Sequence, residues 1–135
     1  MDANVIISAA FGGKPLEAVV RAIENHEVYL SESIERELRG VVSGLSKKLS
    51  KDQMAFLDEK IQQLLSHARR VSVSTHLALS RDAKDDHYLS LCKEARADLL
   101  ISGDKDLLSV SEEVLKKHSI SCRIMTPREF LEDVP

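Results

Sequence analysis

Residues 81–108, RDAKDDHYLSLCKEARADLLISGDKDLL, set an apolar helix and an apolar strand between acidic ends. A helix starting near Lys84 brings Tyr88, Leu91, Cys92 and Ala95 onto one stripe at i, i+3, i+4 and i+7. Asp85 precedes Tyr88 by three residues and shares its side. Asp86 is turned about 100° further round and is expected to face water. Leu99, Leu100 and Ile101 are a continuous apolar run, the pattern of a strand covered on both faces of a parallel sheet. Ser102-Gly103-Asp104 ends it. Ligands of open α/β sheets sit beyond the carboxyl ends of strands, so Asp104 holds a site position and can meet Asp85 at one sheet edge.

Outward from that stretch, helices and strands alternate. Leu16, Val19, Val20 and Ile23 mark a helix after a Gly-containing turn, and Val28-Tyr29-Leu30 reads as a strand. Ser31 is placed to cap a helix whose buried face is Ile34, Leu38, Val41, Val42 and Leu45. Glu35 and Glu37 flank that face about equally, and periodicity does not choose between them. Ser50 to Gln53 is a capping box for a long helix through His67, followed by a strand at Val71-Ser72-Val73. Ser111–Lys117 reads as a short helix, Ile120–Met125 as a last strand, and Thr126-Pro127-Arg128-Glu129 as the start of a closing helix. The alternation implies an α/β fold with a mostly parallel sheet and right-handed crossovers.

The 135 residues suit one domain, 1–135. A net charge of −3 argues against strong non-specific affinity for nucleic acid, and no signal-like or membrane-spanning run appears, so a cytoplasmic protein without membrane attachment is expected. Cys92 and Cys122 read as reduced thiols, and the histidines form no ligand motif. Neither a glycine-rich phosphate cradle nor a Gly-x-Ser-x-Gly elbow occurs. A receiver-like phosphoacceptor is disfavoured, because no lysine precedes Pro127. What remains is a set of acids after strands and early in helices.

Those acids sit in segments that resemble the PIN-domain nucleases, and in particular the VapC-like PIN-family toxins of toxin–antitoxin pairs. Asp2-Ala3-Asn4 resembles the family's opening Asp-x-Asn/Ser, and Ser31–Leu38 its Ser-x-x-x-x-x-Glu-Leu helix. Residues 81–89 are similar to its Asp-Pro-x-Asp-Asp segment, with Ala83 in place of proline. Residues 98–108 resemble its Thr-Gly-Asp-x-Asp segment, with Ser102 for threonine, and residues 126–131 its Thr-Pro-x-Glu-Phe-Leu ending. The resemblance implies a three-layer α/β/α fold with about five strands and a catalytic, metal-binding set of Asp2, Glu37, Asp85 and Asp104. Asp106 is a candidate further ligand, and Asn4 and Ser102 are polar supports. The resemblance also breaks the tie between Glu35 and Glu37 in favour of Glu37. RNA is the implied substrate, cleaved to leave a 5′-phosphate, and the implied partners are a cognate antitoxin and a second copy in a dimer.

Clustered carboxylates call for a cation, since unit like charges about 4 Å apart repel by roughly 4 kcal/mol at an effective dielectric near 20. Oxygen-only ligands favour Mg²⁺ or Mn²⁺. In the family the first strand precedes the opening Asp, whereas here only Met1 does. Either the assigned start is short or the first strand is truncated or missing, and in the second case an α-amino group near the site is expected to compete with its cation. A degenerate PIN scaffold that binds a partner without catalysis is the alternative reading.

Overall fold

The computed structural model describes residues 1–73 and 86–134. In chain order these form α1 (Ala3–Ser8), a 3-10 turn (Ala9–Phe11), α2 (Gly13–Asn25), β1 (Tyr29–Leu30), α3 (Glu32–Leu45) and α4 (Lys51–His67). There follow β2 (Arg69–Arg70), α5 (Asp86–Ala95), β3 (Leu99–Ile101), α6 (Lys105–Leu108), α7 (Glu112–Lys117), β4 (Arg123–Met125) and α8 (Pro127–Asp133).

Helices begin where the sequence places an oxygen against their unpaired N–H groups. Ser31 accepts from Ile34 N at the start of α3, and Ser111 accepts from Val114 N at the start of α7. Ser50 with Gln53, and Thr126 with Glu129, form reciprocal capping boxes on α4 and α8. Gly12 and Gly13 take φ of +80° and +69° before α2, a left-handed turn that costs glycine little.

The strands pair in parallel, β1 with β2 (Tyr29 opposite Arg69) and β3 with β4 (Leu99 opposite Arg123). The expected continuous sheet of about five strands is not what the described residues form; they form two separate two-stranded sheets. The opening segment explains the break. Asp2 caps α1, so the chain turns helical at Ala3, and a single bond from Asp2 N to Ile101 O, 2.9 Å, ties the start of the chain to β3. The strand expected at residues 71–73 lies two residues earlier, at Arg69–Arg70, because α4 ends in an extended Ala68 and pairing starts at once. Val71 N still reaches Leu30 O at 2.8 Å.

The core gathers Ile6 of α1, Leu30 of β1, Leu38 of α3, Leu64 of α4, Leu89 of α5, Leu100 of β3 and Phe130 of α8. Helix α5 packs against β1, β3 and α3. It is consequently buried nearly all round: Tyr88 to Cys92 are all inside, and Asp86, expected in water, is only 8% exposed. A step of 100° leaves the buried stripe of a helix lying on a surface, but not of a helix enclosed on several sides. The opposite correction applies to α3, where only Ile34 and Leu38 are buried and Val41 is 37% exposed. Cys92 and Cys122 are free and buried, and their thiols are neighbours, with Cys122 and burial together pushing the Cys92 thiol up.

A groove of about 340 Å³ lies between the sheets, lined by Val28 and Tyr29 on one side, by Leu99, Leu100 and Ile101 on the other, and by Met1. Burial lowers the pKa of the Met1 ammonium there, against opposing pulls from Cys92, Asp2 and Cys122. An extended segment laid in this groove would bring backbone donors and acceptors to the facing edges of β1 and β3. Adding four to six β-branched residues before Met1 is therefore expected to raise the melting temperature by roughly 3–5 °C per kcal/mol gained. Thermal unfolding of the two forms side by side measures it, and an unchanged or lower midpoint would show that the groove does not accept a strand.

Candidate active site

Asp2 is a carboxylate only 2% exposed, which is costly unless its oxygens are satisfied. They are. Oδ1 accepts from Asn4 N at 3.0 Å, and Oδ2 accepts from the Ser102 hydroxyl at 2.7 Å. Ser102, fully buried at the end of β3, also accepts from Asp104 N at 2.9 Å. One hydroxyl thus joins the first acid of the chain to the backbone of the acid beyond β3. Asn4 contributes its backbone N–H, while the residue itself is exposed.

Asp104 caps α6, accepting from Asp106 N at 2.8 Å, and is half-buried. Asp106 lies in the first turn of α6, and its carbonyl accepts from Ser109 Oγ at 2.9 Å. Glu37, half-buried on α3, places Oε2 3.0 Å from His87 Nε2 of α5. Glu35, two residues earlier, is engaged elsewhere: Arg70 and Arg39 hold it and keep its carboxyl below the usual range. Asp85 lies outside the described residues.

Between these acids stands Tyr88. Its hydroxyl accepts from Ala3 N at 3.0 Å, directly after Asp2. Burial first, with the negative charges of Asp2 and Glu37 adding to it, pushes its pKa well above the ordinary phenol value, so the hydroxyl stays protonated. Tyr88 was legible in the sequence only as a core residue, although a tyrosine on a buried stripe signals that its hydroxyl needs a partner. His87 carried no signal beyond its place next to two aspartates.

Among the described residues no group of three or more His, Cys, Asp or Glu side chains is gathered to hold a metal. The carboxylates are instead held singly, each by its own hydrogen bond or ion pair. Glu37 Oε2 and His87 Nε2 nevertheless have no hydrogen-bond partner although both atoms are out of contact with solvent. Two inaccessible atoms without a hydrogen-bond partner, one carboxylate oxygen and one imidazole nitrogen, are donor types that fit a hard or borderline divalent cation.

Ser102 thus ties the acid beyond β3 to the acid at the head of the chain, while Glu37 of α3 is paired with His87. The PIN domain family model matches residues 1–106, so the chain belongs to the PIN domain family, whose members are generally nucleases. No curated protein and no solved structure matches the chain. No described helix is long and apolar enough to cross a membrane.

The buried link through Ser102 makes a direct prediction. Ser102→Ala leaves Asp2 Oδ2 without its donor and Asp104 N without its acceptor, and should destabilise the protein by about 1–3 kcal/mol. Urea unfolding reads this as a lower midpoint at unchanged slope; a midpoint equal to that of the parent would show that water or another group replaces the hydroxyl.

Proposed function

We propose that the protein is a metal-dependent endoribonuclease that hydrolyses RNA phosphodiester bonds, leaving 5′-phosphates, through Asp2, Glu37, Asp85 and Asp104 with Mg²⁺ or Mn²⁺. Membership of the PIN domain family supports the nuclease class and a nucleic-acid substrate. The single observation that carries the site is the path from Asp104 N through the Ser102 hydroxyl to Asp2 Oδ2, which brings together acids 102 positions apart in sequence. The motif resemblance to VapC-like toxins supports the role of toxin in a toxin–antitoxin pair, a cognate antitoxin, a homodimer and a cytoplasmic setting. We read residues 1–135 as one three-layer α/β/α domain.

Asp2, Glu37, Asp85 and Asp104 would hold the cation, with Asp106 as a candidate further ligand. Lewis-acid activation of water toward phosphorus and stabilisation of the leaving oxygen are the chemistry such a cation supplies when bound. The chain's own contribution is placement. Ser102 and the Asn4 backbone fix the Asp2 carboxylate, the N-terminal turn of α6 fixes Asp104, and Tyr88 braces the segment after Asp2.

A non-catalytic scaffold is the second reading, favoured by the division of the described strands into two sheets, with a helix beginning at Ala3 where the family's first strand would lead in. Calorimetry separates the two. The nuclease reading expects Mn²⁺ binding in the millimolar range or tighter, lost in Asp85→Asn and Asp104→Asn, together with Mn²⁺-dependent cleavage of an RNA panel that the same variants abolish. Absence of binding heat at neutral pH, or heat unchanged in Asp85→Asn, would remove the four-acid site and leave the scaffold.

A further inference from the structure

We propose that His87 is a nitrogen ligand of the site's cation, adjacent to Glu37, and that it makes the site favour transition-metal cations such as Mn²⁺ and Co²⁺ over Mg²⁺. The inference rests on the reading of the acids as a divalent-cation site and extends it, because that site was assigned oxygen ligands alone.

The geometry comes from one pair of atoms. His87 Nε2 and Glu37 Oε2 stand 3.0 Å apart, on side chains 27% and 33% exposed. That distance suits a hydrogen bond, yet neither atom makes one and neither is open to solvent. A proton on Nε2 therefore points too far from the oxygen to bridge the two. An ordinary histidine–carboxylate pair, free to rotate at partial exposure, would align its N–H with the acceptor. With the ring neutral and its lone pair at Nε2, two electron-rich atoms would meet with nothing between them.

A cation touching both atoms removes both defects. Neighbouring ligands at right angles, about 2.1 Å from an octahedral cation, lie about 3.0 Å apart. Each then directs its lone pair at the cation and not at the other ligand, which reproduces both the short separation and the failed alignment.

The ring is held for this role. His87 meets Tyr88 edge to face, with centroids 4.9 Å apart and planes at 88°. Tyr88 in turn is anchored through its hydroxyl to Ala3 N, next to Asp2. Nε2 is thus braced by a residue bonded to the segment just after the opening acid. Imidazole nitrogen is a borderline donor whose affinity rises from Mn²⁺ to Co²⁺, whereas Mg²⁺ prefers oxygen and sheds water reluctantly. Replacing one oxygen by nitrogen therefore changes selectivity between cations.

The test uses the whole chain and the metals alone. Pulsed electron paramagnetic resonance of the Mn²⁺-loaded wild type should show coupling to a directly bound ¹⁴N, absent from His87→Ala. In calorimetry, His87→Ala should weaken Co²⁺ binding about tenfold or more while changing Mg²⁺ binding much less. Bound Mn²⁺ without nitrogen coupling would overturn the proposal and leave the four-acid site standing. So would equal weakening of Co²⁺ and Mg²⁺, which would make His87 a residue that only holds Glu37. Should His87→Ala fail to fold, the wild-type spectrum decides alone. Failure of the wild type to bind Mn²⁺ at all would overturn this inference together with the cation site beneath it.

Discussion

The structure depends on a buried carboxylate at its very start. Removing Asp2 from water is unfavourable by several kcal/mol unless donors replace the water, and both donors come from neighbours that the fold must place. Asn4 N is delivered by the first turn of α1 and the Ser102 hydroxyl by the end of β3. The acid therefore fixes the helical entry of the chain and the position of the opening residues on β3 at once. A backbone bond from Asp2 N to Ile101 O completes the clamp. An acid used only as a cap would not need this enclosure; exposed serines cap α4 and α7 with similar bonds.

The same clamp accounts for the split sheet. With Asp2 committed to β3 and Ala3 already helical, the described chain offers nothing extended to lie between β1 and β3, and the groove lined by Met1 is the result. Helix α5 closes one side of this junction, which is why it is buried on nearly every face. Tyr88 links the two consequences: its ring fills the core beneath the groove, and its hydroxyl satisfies Ala3 N at the mouth of α1. Packing and polar satisfaction at this point are one arrangement.

How much of this was legible in the sequence follows from the range of each interaction. The caps at Ser31, Ser50 and Thr126 bond to N–H groups three residues away, and each was read from the sequence where the structure has it; Ser111, read as the first residue of its helix, is its cap. Strand β3 and its terminal Ser102-Gly103-Asp104 were equally plain, since an apolar run and its stop are local features. The burial of Asp86 was not legible. It depends on how many elements enclose α5, and a periodicity within one helix reports a face but not the number of its neighbours. The exposure of Val41 has the same cause with opposite sign: the apolar stripe of α3 runs on past the last element that covers it. Nothing within reach of Asp2 in the sequence shows that Ser102 lies beside it.

Glu35 and Glu37 show where pattern ends and chemistry decides. They lie two residues apart on α3, about 200° round the helix, and flank one apolar stripe. Glu35 faces β2, where Arg70 meets it with two hydrogen bonds and Arg39 adds a third from its own helix. A carboxylate so fully matched by guanidinium is neutralised in place and has little to offer a cation. Glu37 faces α5, where the approaching side chain is an imidazole whose nitrogen does not align with it. Its charge lies close enough to Tyr88 to help hold that phenol protonated. The partner across the interface, not the position on the helix, distinguishes the two glutamates: one holds β2 and the other meets α5.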